Sequence, residues 1–573
     1  MFFLFFIISF SPVKASIEFQ TDYKITYQIG ARGDGTVNQS ITLTNKFSNI
    51  YPKEYYLQIN GAKIQNISAE DGLGNILDSI SESEKQTKIR LKFNQEIAGK
   101  GKILSFRISY SLPQFANKKG QIWEISIPRL ANLQEIETLS LTIKAPLSFG
   151  KLSYSSISPL GQETTTENRI FSYQKSQLSQ KPLVLAFGEF QIFDFSLNFF
   201  LKNQQERAIK TGIPIPPDTP YQSVVLTKIE PRPDKIRIDD DLNWIAEYQL
   251  AAGEMKEILV EGQAKISSRP ENSTLIEMSK EQNSIIYLHE DRFWPVNNPL
   301  IKKLAQKQHG AKEIYNFVIN HLEYDYQTIA APQRQGALKA YQKKLGVCTE
   351  FSDLFVTLCR SVGIPARELE GFAFTNNQQL ISLAATNDVL HSWPEYWDNK
   401  KRFWIQVDPT WAKTTKGMDF LNNFDLGHFV FVTHGKSSSN PAPPGSYKLD
   451  SNQKNVTVKF ANHLISRPET KFTPQLKSTS KTTKIIIKND SLAAAYNTQL
   501  NLLGWRQKNE SQTKISYLPP LGEKEIIIKH PSIFSLIFGQ PVYQLKINNS
   551  HFKLLYPKFK LNLRNFFAKL VGR

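Results

Sequence analysis

Residues 346–367 read GVCTEFSDLFVTLCRSVGIPAR, and this stretch decides how the chain is understood. Phe351, Leu354, Phe355, Leu358 and Val362 recur at helical spacing, one apolar face of a buried helix. Gly363 suits the residue after a helix end, and Pro365 stops any continuation. The spacing predicts a helix over about 349–362, with Cys348 at its start. The helix dipole and the free N–H groups there favour an anion. The thiolate is the nucleophilic form of cysteine, and those N–H groups are also suited to a developing oxyanion. Cys359 lies inside the same helix beside Leu358 and reads as a core residue. The chain has 2 cysteines. Their helical spacing separates them by roughly 16 Å along the axis, too far for a disulfide.

A cysteine nucleophile needs a base. Residues 390–411, LHSWPEYWDNKKRFWIQVDPTW, place two aromatic-rich strands around the turn at 398–401. In a hairpin with Asn399-Lys400 as its loop, His391 and Asp408 are directly opposite, on one face, with Cβ atoms about 5 Å apart. A carboxylate at that range fixes the tautomer of an imidazole and stabilises its charged form. Pro394 cannot donate to a ladder, so its strand is expected to be edge-like or bulged there.

Outward from this core the periodicity changes. Leu300, Ile301, Leu304 and Ala305, then Ile314, Phe317, Val318 and Leu322, are spaced as helices. An α+β catalytic domain is expected over 286–433. Residues 16–200 alternate at strand period, as in Tyr23–Gln28 and Ile103–Tyr110, with turn signals at Asn60-Gly61 and Asp71-Gly72. They read as one or two β-sandwich modules, and 201–285 as a further β module that opens on a proline-rich joint. Residues 434–483 read as linker and 484–550 as a small β module. The end, 551–573, carries six basic residues and no acid, with Leu563, Phe566, Phe567, Leu570 and Val571 in an amphipathic helical stripe. At the start, the run Phe2 to Phe10 followed by Val13-Lys14-Ala15 resembles a secretory signal cut after Ala15 (segment 1–15), which implies an extracytoplasmic, secreted or surface-associated protein.

The middle of the chain resembles the transglutaminase-like superfamily. The cysteine block is matched by GVCTEFSDLFVTLCRSVGIPAR, the histidine block by LHSWPEYW and the aspartate block by FWIQVDPTW, in that order. Upstream, FVINHLEYDY is similar to the family's helix-to-Tyr-x-Tyr segment. Ser392 departs from the family pattern, where alanine is common. The resemblance implies a papain-like, transglutaminase-like catalytic domain between β modules. It implies that Cys348 is the nucleophile, His391 the base and Asp408 the orienter, working through a thioester. Water would then give a protease or amidase, and an amine would give a crosslink. Gln342, Tyr324, Tyr326 and Trp294 are all open as the side-chain donor to the oxyanion.

Composition bounds the rest. Of the +18 net charge, residues 451–573 hold +15, from 20 Lys/Arg against 5 Asp/Glu. Such asymmetry suits an anionic membrane or cell-wall surface, and no nucleic-acid motif accompanies it. No C-x-x-C and no His/Cys cluster at zinc spacing occurs, so neither a metal nor another cofactor is expected. The rival to an enzyme acting on protein or peptide substrates is a non-catalytic surface-binding protein that uses the β modules and the basic end.

Overall fold

The computed structural model describes Ile7–Ile8 and residues 18–556, apart from 61–63, 84–85, 128, 131–132, 179–182, 282–283, 329–332, 376–387, 389, 416–418, 423, 451–452, 479–481, 504–510 and 529–541. The expected signal, 1–15, lies outside the described residues save for Ile7–Ile8. The apolar stripe expected at 563–571 lies outside them entirely.

Phe19–Ile29 and Gly35–Asn45 form a hairpin in which buried residues alternate with more exposed ones, the period of a sheet with one face inward. It sits in the middle of an eight-stranded sheet. Ile25, Tyr27, Val37 and Ile41 share one core with Ile125, Leu185 and Phe187 from a four-stranded sheet and Leu57, Ile89 and Leu91 from a three-stranded one.

The next core is organised by Phe190–Lys202, a strand that crosses the boundary expected at residue 200. It pairs along its whole length with Met255–Ser267, and on its other side with Val456–Phe460. The proline-rich joint carries a strand too, Ile209–Ile215. Pro214 is tolerated there because this strand is the edge of its three-stranded sheet. Region 434–483 also differs from the expected linker. It supplies Val456–Phe460 and Phe472–Ser478, the latter paired with Thr483–Asn489. Both are edge strands: Phe472–Ser478 buries no residue, and Val456–Phe460, although it alternates apolar and polar residues, is only five residues long. Ser550–Leu555 pairs with Val542–Ile547, which draws the first residues of the expected tail into a sheet.

Between the second core and Val456–Phe460 lies the helical unit. Its helices are α1 (Pro299–Ala305), α2 (Ala311–His321), α3 (Ala337–Lys343), α4 (Cys348–Ser361) and α5 (Pro409–Thr414). Its strands are β1 (Glu323–Tyr324), β2 (Leu345–Gly346), β3 (Ala366–Ala373), β4 (His391–Asp398), β5 (Phe403–Gln406) and β6 (His428–His434). The main sheet runs β5-β4-β3-β6. Helix α4 is central. Every residue from Glu350 to Arg360 is buried, and Phe351, Leu354, Phe355 and Leu358 pack with Ile301, Ile314 and Val318. Gly363 ends α4 at φ +79°, a conformation that L side chains rarely adopt. Among the described residues no helix is long and apolar enough to cross a membrane.

Burying α4 also buries charge, and arginines neutralise it. Arg334 forks onto Asp353 of α4, at 3.0 and 2.5 Å, and reaches Glu368 of β3 at 2.6 Å. Both carboxylates are fully buried. Among the described residues, removing Arg334 leaves Asp353 buried without a counter-ion and Glu368 with His434 alone. Arg334→Ala is therefore expected to destabilise this unit by about 3–5 kcal/mol, read as a lowered calorimetric transition. A transition at the wild-type temperature would show that the two carboxylates do not depend on this arginine.

Candidate active site

Cys348 is placed by three local features. The parallel pair β1–β2 sets Tyr324 beside Gly346, two residues before the thiol. At Gly346 an added Cβ would meet the Glu350 Cβ at 2.4 Å, so the first turn of α4 folds against a bare backbone. Glu350 then reaches back to accept the Val347 N–H at 3.1 Å and takes the Gln335 N–H at 2.8 Å. This is half of a capping box, because Val347 has no side-chain oxygen to return the bond. Cys348 is half-buried and free, and it stands where the first N–H groups of a helix lack intrahelical partners. Cys359 is free and fully buried inside α4, and burial pushes its thiol up.

His391 opens β4, which pairs with β3 so that His391 faces Gly371. A Cβ at Gly371 would come within 2.1 Å of the Phe429 carbonyl, so β6 is drawn hard against β3 at this level. The β4–β5 ladder pairs Glu395 with Gln406 and Asp398 with Phe403. The hairpin centre is therefore between Lys400 and Lys401, one residue later than expected, which slides each partner by two. Asp408 is thus not in the ladder opposite His391. It is the N-cap of α5, just beyond the end of β5. A two-residue slide keeps every side chain on its face, and the Asp408 carboxylate still reaches His391: Nε2 to Oδ2 is 2.8 Å. Pro394 causes no bulge. Its carbonyl accepts the Val407 N–H at 3.0 Å, so its missing N–H points to the same side, where β5 has already ended.

Asp408 is wholly buried, and both of its oxygens are used. Oδ1 accepts the Trp411 N–H at 2.8 Å, which caps α5. Oδ2 accepts from His391 and also from His428 Nε2, at 3.2 Å. His428, at the head of β6, bonds Asp425 through Nδ1 at 2.6 Å. The two imidazoles are walled by aromatics. Trp411 lies 5.2 Å from the His391 ring and 4.5 Å from the His428 ring, with Trp393 and Phe424 beside the latter. Cys348 is close enough to His391 for the two to interact electrostatically, and with Nε2 given to Asp408 the ring nitrogen that remains is Nδ1.

Burial pulls the His391 imidazolium down, but Asp408 and Cys348 outweigh it and lift the group to about 9. Burial likewise opposes the charge of His428, and Asp425 with Asp408 lifts it to about 9. Burial favours the neutral form of Asp408, yet the two histidines hold it far below the usual carboxylate range. The atoms of His391, Asp408 and His428 lie within 4.8 Å of one another, and all are already bonded together. We read them as a hydrogen-bonded row rather than as a metal centre.

The open oxyanion donors separate clearly. Trp294 is buried with Nε1 committed to Asp353 at 2.8 Å. Gln342 is exposed on α3, and Tyr326 is 42% exposed with its ring 4.8 Å from that of Tyr324. Tyr324 is close enough to Cys348 for the two to interact electrostatically. Ser392 has a structural use: its hydroxyl donates to buried Glu368 at 2.5 Å. Sequence reasoning missed His428 and Asp425. Their trace is a histidine heading the apolar run Phe429–Val432, with an aspartate three residues before it.

Residues 296–409 match the model of the transglutaminase-like superfamily, a span that includes Cys348, His391 and Asp408 and stops before His428. No curated protein matches the chain. Among solved structures, a candidate cysteine protease from Cytophaga hutchinsonii is 17% identical, over 48% of this chain and 99% of that one, with a TM-score of 0.31. A candidate nutrient-binding protein from Legionella pneumophila is 8% identical over 32% and 70%, at 0.23. A candidate protease from Parabacteroides distasonis is 9% identical over 89% and 94%, at 0.19. At such scores none is a counterpart of the whole fold.

The charged row makes stability depend on pH. Asp408 is depressed, so its contribution is present above about pH 4 and is lost only as pH falls through its lower folded value. The histidines are raised, so theirs is complete below about pH 6.5 and is lost as pH rises through about 9. The thermal midpoint of the helical unit should fall as pH rises from 6.5 past 9, and this slope should flatten in Asp408→Asn. Equal slopes in the two proteins would place the pH dependence elsewhere.

Proposed function

We propose that this chain is a cysteine-dependent acyl-transfer enzyme that acts on protein or peptide amides outside the cytoplasm, with Cys348 as nucleophile, His391 as base and Asp408 as orienter. The observation that carries the reading is His391, bonded to Asp408 at 2.8 Å and interacting electrostatically with Cys348 at the start of α4. The transglutaminase-like match over 296–409 supports it. In this reading 286–433 has a papain-like arrangement, and the strand-rich regions around it are β-sandwich modules.

In the reacting pair the Cys348 proton already rests on His391 Nδ1, and the thiolate sulfur attacks the amide carbonyl carbon. The carbonyl oxygen becomes an oxyanion, held by N–H groups at the start of α4 and by the Tyr324 hydroxyl. Collapse breaks the C–N bond, and His391 returns its proton to the departing amine. The thioester is then attacked by water or by an amine that His391 deprotonates, and the thiol is regenerated. Asp408 keeps Nε2 protonated and turned away from sulfur throughout. The +15 charge of 451–573 suits an anionic membrane or cell-wall polymer as the surface on which the enzyme works.

Labelling the full chain with a thiol-reactive amide mimic at neutral pH should modify Cys348 rapidly in wild type and at least tenfold more slowly in His391→Ala. Equal rates would show that His391 does not activate the thiol. Once a peptide substrate is in hand, Tyr324→Phe should lower kcat by about 10²-fold, the usual effect of losing one oxyanion donor, while the labelling rate of Cys348 stays near wild type. An unchanged kcat would leave the oxyanion to backbone N–H groups alone. Adding a primary amine to the same assay separates hydrolysis from transamidation by the mass of the product.

A further inference from the structure

His428 lies outside the superfamily match and has no part in the three-residue mechanism. It is nevertheless buried at the centre of the site, with each ring nitrogen facing a different carboxylate. Nδ1 is 2.6 Å from Asp425 Oδ1, and Nε2 is 3.2 Å from Asp408 Oδ2. A neutral imidazole carries one N–H and can satisfy one carboxylate only, whereas the imidazolium carries two. Two acceptors on opposite edges of one ring therefore select the cation. We propose that His428 is a positioning residue that acts as a cation on Asp408, making the site a row of five groups in the order Cys348, His391, Asp408, His428 and Asp425.

The inference rests on the reading of Cys348 and His391 as the reacting pair, and it adds what tunes them. Asp408 gives one oxygen, Oδ2, to both histidines. Its negative charge is therefore divided. The part that His428 neutralises no longer holds the proton on His391. Other groups face the row as well. Glu370 of β3 interacts electrostatically with His391, and Tyr324 of β1 with Cys348 and Asp408. Tyr315 of α2 donates its hydroxyl to the Asp408 backbone carbonyl at 3.4 Å. Trp393, Trp411 and Phe424, against the His428 ring, are uncharged. Among the described residues, Asp425 is the carboxylate at the outer end of the row, and its side chain is 26% exposed. Burial opposes the charge of His428, but these two carboxylates outweigh it and keep the ring charged through neutral pH.

The test is the pH profile of iodoacetamide alkylation at Cys348 in the full chain, read by peptide mass spectrometry so that Cys359 does not enter and no substrate is required. In wild type the rate should rise in two steps, the upper one where His391 loses its proton. His428→Gln keeps an N–H donor without the charge, and His428→Phe keeps a ring with neither. Both should move the upper step upward by about one pH unit, a tenfold tighter hold on the His391 proton. Asp425→Asn, on the partly exposed end, should move it the same way by less, and it serves as the probe if the buried variants fail to fold. Upper steps at the wild-type pH in the variants that fold would overturn the inference while leaving the acyl-transfer reading intact. A step shifted in His428→Phe but unshifted in His428→Gln would also overturn it, since hydrogen bonding and not charge would then be at work. A wild-type profile with no lower step would instead defeat the acyl-transfer reading, because no thiolate–imidazolium pair would exist.

Discussion

The helical unit converges on one carboxylate. Asp408 has no exposed surface, and an isolated carboxylate in that position would neutralise rather than stay charged. It stays charged because every approach to it is a donor: the Trp411 N–H on one oxygen, two imidazoles on the other. Those donors come from three separate places, the start of α5, the start of β4 and the start of β6. The carboxylate thus fixes where three elements begin relative to one another. If those starts were displaced, an anion would be left buried and unpaired.

The same logic repeats around α4. Arg360 points its guanidinium at the backbone carbonyls of Ala366, His289 and Gly435, over the Trp294 ring. Arg367 pairs with Glu395 beneath Trp404. Each arginine spans elements distant in sequence, so the charges act as ties as well as neutralisers. The flanking module takes part. Gln222 exchanges bonds with both backbone groups of Val430, Asn243 does so with Thr433, and Asp241 accepts from Gly435 and Lys436. These residues hold β6, and through it His428, in place. Strand β6 is accordingly buried at all seven of its positions.

How much of this was legible depends on how local its cause was. The α4 helix is dictated by apolar spacing and by Gly363, and it is observed one residue from where those signals put it. That Cys359 is core and Cys348 is not follows from the same helix. The meeting of His391 with Asp408 was legible for a subtler reason. The hairpin centre was misplaced by one residue, because Asn399-Lys400 looks like a two-residue loop whereas the turn spans 399–402 with Arg402 at φ +57°. The resulting slide of two preserves the face, and the face is what the chemistry needs. His428 could not be found this way. Nothing near it in sequence announces that its partner lies 20 residues upstream on another element. The edge strands at 456–460 and 472–478 were hidden for the opposite reason: their pairing uses backbone groups, which every sequence has.

The five-group row also constrains how the site can work. Moving a proton from Cys348 to His391 leaves the net charge of the row unchanged, but it creates two charges whose desolvation must be offset by their mutual attraction and by the groups around them. What changes is the dipole between the two, which the start of α4 and Asp408 bracket from either end. A lone buried carboxylate would hold the imidazolium so firmly that returning its proton to a departing amine would be slow, and an efficient acid–base group is one poised near the working pH. Sharing Asp408 between two histidines relaxes that grip without giving up the orientation that its second oxygen secures through α5. If Cys348 and His391 are the proposed reacting pair, the distance from Asp408 to His428 bears on the chemistry along with the distance to His391, although only His391 would meet a substrate.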